Sequence, residues 1–286
     1  MSITVIMGVR GVWTYFRNLF VSKPVSSESD TQTIGIDMLS LIYTYRTLID
    51  DLVLYIKSLE AAGHTVVCVW DGVAPKEKQE IIKQRRCERD VSLNKKNTLS
   101  TYLEEYGDQL DEQDLKSLTQ AITSLEWQGW HLSYKKKQEI QDALGSMEHR
   151  VADGEADDLL LEMAFSGKLD CIITLDSDLF VMGAPKLWRL LRKRAWYIEE
   201  IKVERICGMC DIRLEDLQDA AYLAGWDRCH LTGHVYMHFD KAMDYIKQNK
   251  IEDLVKDQEE SYSRLEAIKA QTHGCWKEVI RRRKLI

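Results

Sequence analysis

Thr33-Ile-Gly-Ile-Asp37 is a short apolar run closed by an acid, and the apolar-periodic stretch that follows it, residues 39–59, predicts a helix. The same order returns twice. Thr65-Val-Val-Cys-Val-Trp70 is a continuous β-rich run of the kind buried on both faces of a sheet, and it ends in Asp71-Gly72. Leu169-Asp-Cys-Ile-Ile-Thr174 predicts a third such strand and runs into Asp176-Ser177-Asp178. Between these two, a helix beginning at Gly154 has Glu155-Ala-Asp-Asp158 as its first turn, where acids complement the helix dipole. Strands alternating with helices predict an α/β fold, a mostly parallel central sheet with helices on both faces. Ligands of such sheets bind beyond the C-terminal strand ends, which is where these acids fall.

Taken singly, each acid has a plain explanation: Asp71-Gly72 is a turn signature, and residues 155–158 are an ordinary helix start. Taken together, Asp37, Asp71, Glu155, Asp157, Asp176, Asp178 and, further on, Asp227 form a crowd that cannot all ionise in one folded core. Asp176 and Asp178 are two apart, so on an extended chain both side chains leave the same side. Glu155 and Asp157 have the same spacing, which within a helix would splay them, so this pair works only at the first turn. Two Mg²⁺ or Mn²⁺ ions suit such a set. They take hard oxygen ligands and, about 3.5–4 Å apart, activate a water and steady the leaving oxygen of a phosphodiester.

The rest of the composition bounds the setting. No apolar run approaches the roughly 20 residues of a spanning helix, and the N-terminus lacks the basic-then-apolar order of a secretory signal. An odd number of cysteines, seven, points to reduced thiols. The expectation is a soluble, intracellular protein of the nucleus or cytoplasm. Net charge is −7, but with the seven clustered acids set aside the remaining chain is near balance, so local basic patches decide its partners. Residues 76–92 predict a basic helix, residues 94–118 a helical, alternately charged stretch, and residues 214–224, 240–248 and 251–284 further helices.

Five stretches then occur in order: Met7-Gly-Val-Arg-Gly-Val-Trp13, Ile36-Asp-Met-Leu-Ser-Leu-Ile-Tyr43, Val69-Trp-Asp-Gly-Val-Ala-Pro-Lys76, Gly154-Glu-Ala-Asp-Asp-Leu159 and Thr174-Leu-Asp-Ser-Asp-Leu-Phe-Val-Met-Gly183. Together they resemble the flap endonuclease and XPG family of structure-specific 5′ nucleases over residues 7–250. The resemblance implies a PIN-like nuclease core at 7–227 with a helical arch at about 76–135, and a small C-terminal helical region at 228–286. It assigns all seven acids to the metal site, with Asp37 and Asp71 also at the catalytic centre. Lys78 and Arg85, seven apart on one face of the arch helix, would neutralise the scissile phosphate, the alternative being a solvated face diluted by Glu77, Glu80, Glu88 and Asp90. Tyr43 matches an aromatic that stacks a base, its alternative being a core tyrosine; Gly8, at the family's usual chain start, packs close to the site, and Arg86 joins these as a substrate contact. Residues 1–6 are an extension beyond that start. The implied activity is metal-dependent cleavage near single-strand/duplex junctions, of 5′ flap endonuclease or 5′ exonuclease type, on branched or nicked DNA. An RNA-cleaving relative and a catalytically silent scaffold remain open alternatives.

The chain also departs from the family. Gly225-Trp-Asp227 is followed by Arg228 where a tyrosine is usual, and Arg228-Cys-His-Leu-Thr-Gly-His-Val-Tyr-Met-His-Phe-Asp240 holds one glycine where a helix-hairpin-helix has more. This degenerate hairpin is expected to lack the monovalent-cation bridge to duplex phosphates. Cys207-Gly-Met-Cys210, at a helix end, with Cys229, His230, His234 and His238 raises structural zinc as the lesser alternative. Residues 251–286 show no clamp-docking motif, which fits a compact, viral-type branch. The basic runs 135–137, 189–194 and 281–284 read as phosphate contacts or plain surface, and Trp127 and Trp130 as packing.

Overall fold

The computed structural model describes residues 8–25, 30–74, 79–191, 197–226, 228, 236–248, 251 and 259–283. Its strands are β1 (Val21–Pro24), β2 (Thr33–Asp37), β3 (Thr65–Trp70), β4 (Glu148–Val151), β5 (Cys171–Ile173), β6 (Leu187–Leu190) and β7 (Tyr197–Ile201). They form one sheet in the order β1-β7-β6-β5-β2-β3-β4. The pairs from β6 through β4 are parallel, whereas β7 runs antiparallel to both β6 and β1. The mixed edge needs no crossover helix, because β6 and β7 are joined as antiparallel neighbours.

The helices are α1 (Val12–Phe16), α2 (Met38–Thr44), α3 (Ile49–Ala61), α4 (Gln79–Tyr106), α5 (Glu112–Gly129), α6 (Tyr134–Leu144), α7 (Ala156–Phe165), α8 (Asp178–Val181), α9 (Val203–Cys210), α10 (Leu214–Leu223), α11 (Phe239–Gln248) and α12 (Glu259–Arg283). Two sequence expectations need correcting. The single helix at 39–59 is two, α2 and α3, because Leu48 N–H donates to the Tyr45 carbonyl (2.6 Å) in a turn between them. Each helix still buries an apolar face, Leu41 and Ile42 on one and Leu52, Ile56 and Leu59 on the other. Conversely, the two stretches at 76–92 and 94–118 are not divided where their composition changes. No glycine or proline falls between residues 79 and 106, so α4 runs on until the turn at Gly107–Gln109. Asp111 then starts α5 by accepting the Asp114 N–H (2.8 Å).

Two compact units result. Val73–Glu139, with α4 and α5 packed on each other, is one. The sheet and the helices outside 73–139 are the other, with α6 straddling the boundary, and its core gathers Val67, Val69, Leu160, Ile172, Phe180, Tyr222 and Trp226. No described helix is long and apolar enough to cross a membrane.

The parallel register fixes where the acids emerge. Asp37 stands opposite Val69, and Ile36 opposite Ile173. Asp71 therefore lies two residues past the Asp37 level on β3, and Thr174 directly beside Asp37 on the β5 side.

Candidate active site

Asp37 ends β2 and caps α2: one carboxylate oxygen accepts the Ser40 N–H (3.2 Å) and the other accepts the Thr174 hydroxyl (2.8 Å). The same two neighbours hold the next loop, since Leu175 N–H donates to Ser40 Oγ (2.8 Å) and Asp176 N–H to Thr174 Oγ1 (3.0 Å). Sequence reasoning missed both Ser40 and Thr174. Ser40 had a signal, its place three residues after an acid that starts a helix; Thr174 had none beyond closing an apolar run.

Asp71 does for α7 what Asp37 does for α2, but from a distant part of the chain. Its carboxylate accepts the Ala156 N–H (2.6 Å), one of the free amides of the helix N-terminus. Beside it Gly72 N–H donates to the Gly154 carbonyl (2.8 Å), and a Cβ on Gly72 would fall 1.8 Å from the Ala152 oxygen. The Asp71-Gly72 pair is thus a close backbone approach and not merely a turn. Glu155 is the extended N-cap of α7 with no side-chain capping bond, and Asp157 stands in the first turn, the placement their spacing requires.

Asp176 and Asp178 differ from the expected extended pair. Asp178 opens α8 rather than continuing a strand, and its N–H donates to the Asp176 carboxylate (2.9 Å). The loop is pinned from the N-terminal segment, with Trp13 Nε1–H donating to the Leu175 carbonyl (3.0 Å) and Ser177 Oγ–H to the Val9 carbonyl (3.2 Å). Gly8 has φ +73°, and a Cβ there would lie 2.1 Å from Asp176 Oδ1 and 2.7 Å from Asp178 Oδ1. Only glycine leaves that space open.

The acids feel one another. Burial pushes the Asp37 carboxyl up to about 7, Asp176 and Asp71 add to the shift, and the Thr174 and Ser40 hydrogen bonds offset part of it. Asp157 is held well above the carboxylate range by burial and then by Asp37, Asp176 and Asp71, against the pull of Arg228. Arg228, missed as a site residue, lies 11% exposed among the acids. It approaches Asp158 at 2.8 Å, Glu155 at 3.2 Å, Asp157 at 3.4 Å and Asp178 at 3.9 Å. Burial disfavours its charge, and Asp157, Asp158, Asp178 and Glu155 more than reverse that, so it stays protonated.

Asp227 and Lys78 lie outside the described residues, as do residues 1–6 and the hairpin residues 229–235. Arg85 and Arg86 are exposed on α4, in the unit Val73–Glu139, and Tyr43 is half-buried on α2. Arg189, from the basic run 189–194, instead pairs with Glu199 (2.7 Å) and lies over the Trp13 ring. Cys207 and Cys210 close α9. Burial pushes Cys207 up to about 12 and raises Cys210, so neither thiol ionises readily without a metal; Cys229, His230 and His234 lie outside the described residues.

The chemistry of the set fits a hard divalent cation: carboxylate oxygens, mutual repulsion that an ion would relieve, and a space beside Asp176 and Asp178 that a side chain at residue 8 would fill. Among the described residues no three His, Cys, Asp or Glu side chains converge as a ready-made ligand set.

Residues 146–227 match the XPG I-region, a stretch that includes Glu155, Asp157, Asp176, Asp178 and Asp227. Flap endonuclease 1 of Methanococcus aeolicus is 30% identical over 106 residues, covering 37% of this chain and 32% of that protein. The chain thus aligns with about a third of the length of that curated relative. The catalytic core of Rad2 in complex with DNA substrate superposes with a TM-score of 0.61 at 20% identity, covering 91% of this chain and 86% of that one. The Holliday junction-resolving enzyme GEN1, in complex with product DNA and Mg²⁺, does so with a TM-score of 0.51 at 12% identity, covering 90% and 55%. At these identities the structural likeness is one of fold.

Proposed function

We propose, for a chain that carries the XPG I-region on the flap endonuclease/XPG fold, that it is a divalent-metal-dependent, structure-specific nuclease. It cuts branched or nicked DNA near single-strand/duplex junctions. The observation that carries this reading is that acids from β2, β3, α7 and the loop after β5 feel one another's charge: burial first, and then Asp176 and Asp71, push Asp37 up to about 7, and burial with Asp37, Asp176 and Asp71 raises Asp157. The DNA and Mg²⁺ bound by Rad2 and GEN1 support the choice of substrate and ion.

Asp37, Asp71, Glu155, Asp157, Asp176, Asp178 and Asp227 would hold two Mg²⁺ or Mn²⁺ ions, which when bound supply an activated water and charge stabilisation at the leaving oxygen. The chain's other residues set the stage. Ser40 and Thr174 fix the direction of the Asp37 carboxylate and carry the Asp176 loop with it. Asp71 locks the start of α7, and so orients Glu155 and Asp157. Lys78 and Arg85 neutralise the phosphoryl oxygens as negative charge accumulates, while Tyr43, Gly8 and Arg86 receive the strand.

Purified protein is to be tested on flap, nick, gap and four-way-junction DNA, with matched RNA alongside, in Mg²⁺. Asp176→Ala, alone or with Asp178→Ala, is expected to abolish cleavage with folding and substrate binding kept, because removing repelling acids need not cost stability. Retention of more than a small fraction of wild-type turnover would sink the metal assignment.

A further inference from the structure

We infer that Arg228 is a resident counter-cation of the acid cluster, and that a divalent ion must displace its guanidinium from Glu155, Asp157 and Asp178 in order to bind there. The inference rests on the proposed metal site. Three observations carry it. The guanidinium touches carboxylates of the N-cap and first turn of α7 and of the first residue of α8, all acids assigned to the metal except Asp158. Asp157 and Asp178 are themselves little exposed, 18% and 6%, so little solvent screening weakens the pairing. The charge also has somewhere to go. Arg228 also lines a cavity of about 340 Å³ together with Glu155, Asp158, Glu162, Phe165 and Thr272, so a second carboxylate outside the metal set, Glu162, borders the same space.

Asp158 is the pivot. Its contact is the shortest of the four at 2.8 Å, it is 58% exposed, and no role in the metal set is assigned to it. A guanidinium has five donors in a rigid fork, so one arm can keep Asp158 while the other gives up Asp157 and turns toward Glu162. In the absence of ions Arg228 thus holds together acids that would otherwise repel, and in their presence it weakens affinity by the pairings it must surrender. The sequence alone offered only that an arginine replaces the family's usual tyrosine after the last acid.

The test is direct metal binding in the absence of nucleic acid. Mn²⁺ is titrated into metal-free protein, with affinity and stoichiometry read by calorimetry and by loss of the free-ion paramagnetic signal. Arg228→Met, similar in length and uncharged, is expected to tighten Mn²⁺ binding by about tenfold to a hundredfold, the range of one charge-assisted hydrogen bond. It should also lower the metal-free Tm, with Mn²⁺ restoring it. Arg228→Lys keeps the charge but loses the fork, and should fall between the two; it decides the matter if the methionine variant does not fold. Equal affinity in wild type and in whichever variant folds would overturn the counter-cation role. Absence of Mn²⁺ binding in every protein would overturn the metal site itself, a different failure.

Discussion

Asp37 is 5% exposed, and burial pushes its carboxyl from the ordinary 3.8 up to about 7. Because burial and Asp176 raise it, the folded chain keeps a proton that the unfolded chain releases, and the stability this group contributes to the metal-free protein is fully present only below about pH 4. That stability is lost as pH rises from about 4 through about 7. Asp157 is shifted in the same direction and adds to the loss. Glu200 is lowered to about 2: burial raises it, and Lys23, Lys186 and Lys202 more than reverse that, so its own dependence falls at lower pH and does not mask this window. Thermal scans in chelator should therefore show Tm falling across that window, and saturating Mg²⁺ should flatten the profile. Asp37→Asn should abolish cleavage and remove much of the fall. A metal-free Tm that stays flat or rises from pH 4 to 7 would contradict this account of the acids.

Among the elements, what could be read in advance was what burial writes into sequence. β2, β3 and β5 are apolar runs because both faces are covered, and their closing acids showed at once where a site would form. β4, Glu148-His-Arg-Val151, is mostly exposed and owes its conformation to pairing with β3, so no pattern marks it. The turn into α8 escaped for a similar reason: Asp176-Ser-Asp178 looks the same on an extended chain as at a helix start. Arg228 was illegible because its partners are brought to it only by the fold. α4 raises a functional question instead. It is 28 residues long, exposed along its first turns and carries Arg85 and Arg86. If Arg85 acts on the scissile phosphate, Arg85→Ala should reduce single-turnover cleavage by about tenfold or more while changing substrate affinity little. Equal losses in binding and in turnover per bound complex would make it an ordinary solvated arginine.

The molecule as a whole is acidic, so any grip on nucleic acid depends on local basic groups rather than on net charge. If the stretch 228–240, with a single glycine, keeps its backbone from close approach to duplex phosphates as its sequence leads one to expect, each phosphate left ungripped reduces the salt dependence of binding by about 0.9 in log–log slope. Flap-substrate binding titrated in matched KCl and NaCl should accordingly show no potassium preference and a shallow slope; a marked potassium advantage would mean that the hairpin works despite its sequence. A different property of the whole chain follows from how the acids are tied down. Asp37 is completed by Thr174, 137 residues later, and Asp71 by Ala156, 85 residues later. On the proposed activity, a half-synthesised or clipped copy that ends before the second partner carries acids without a centre. On that reading the site is armed only when its later acid-bearing segments have been made and folded into place.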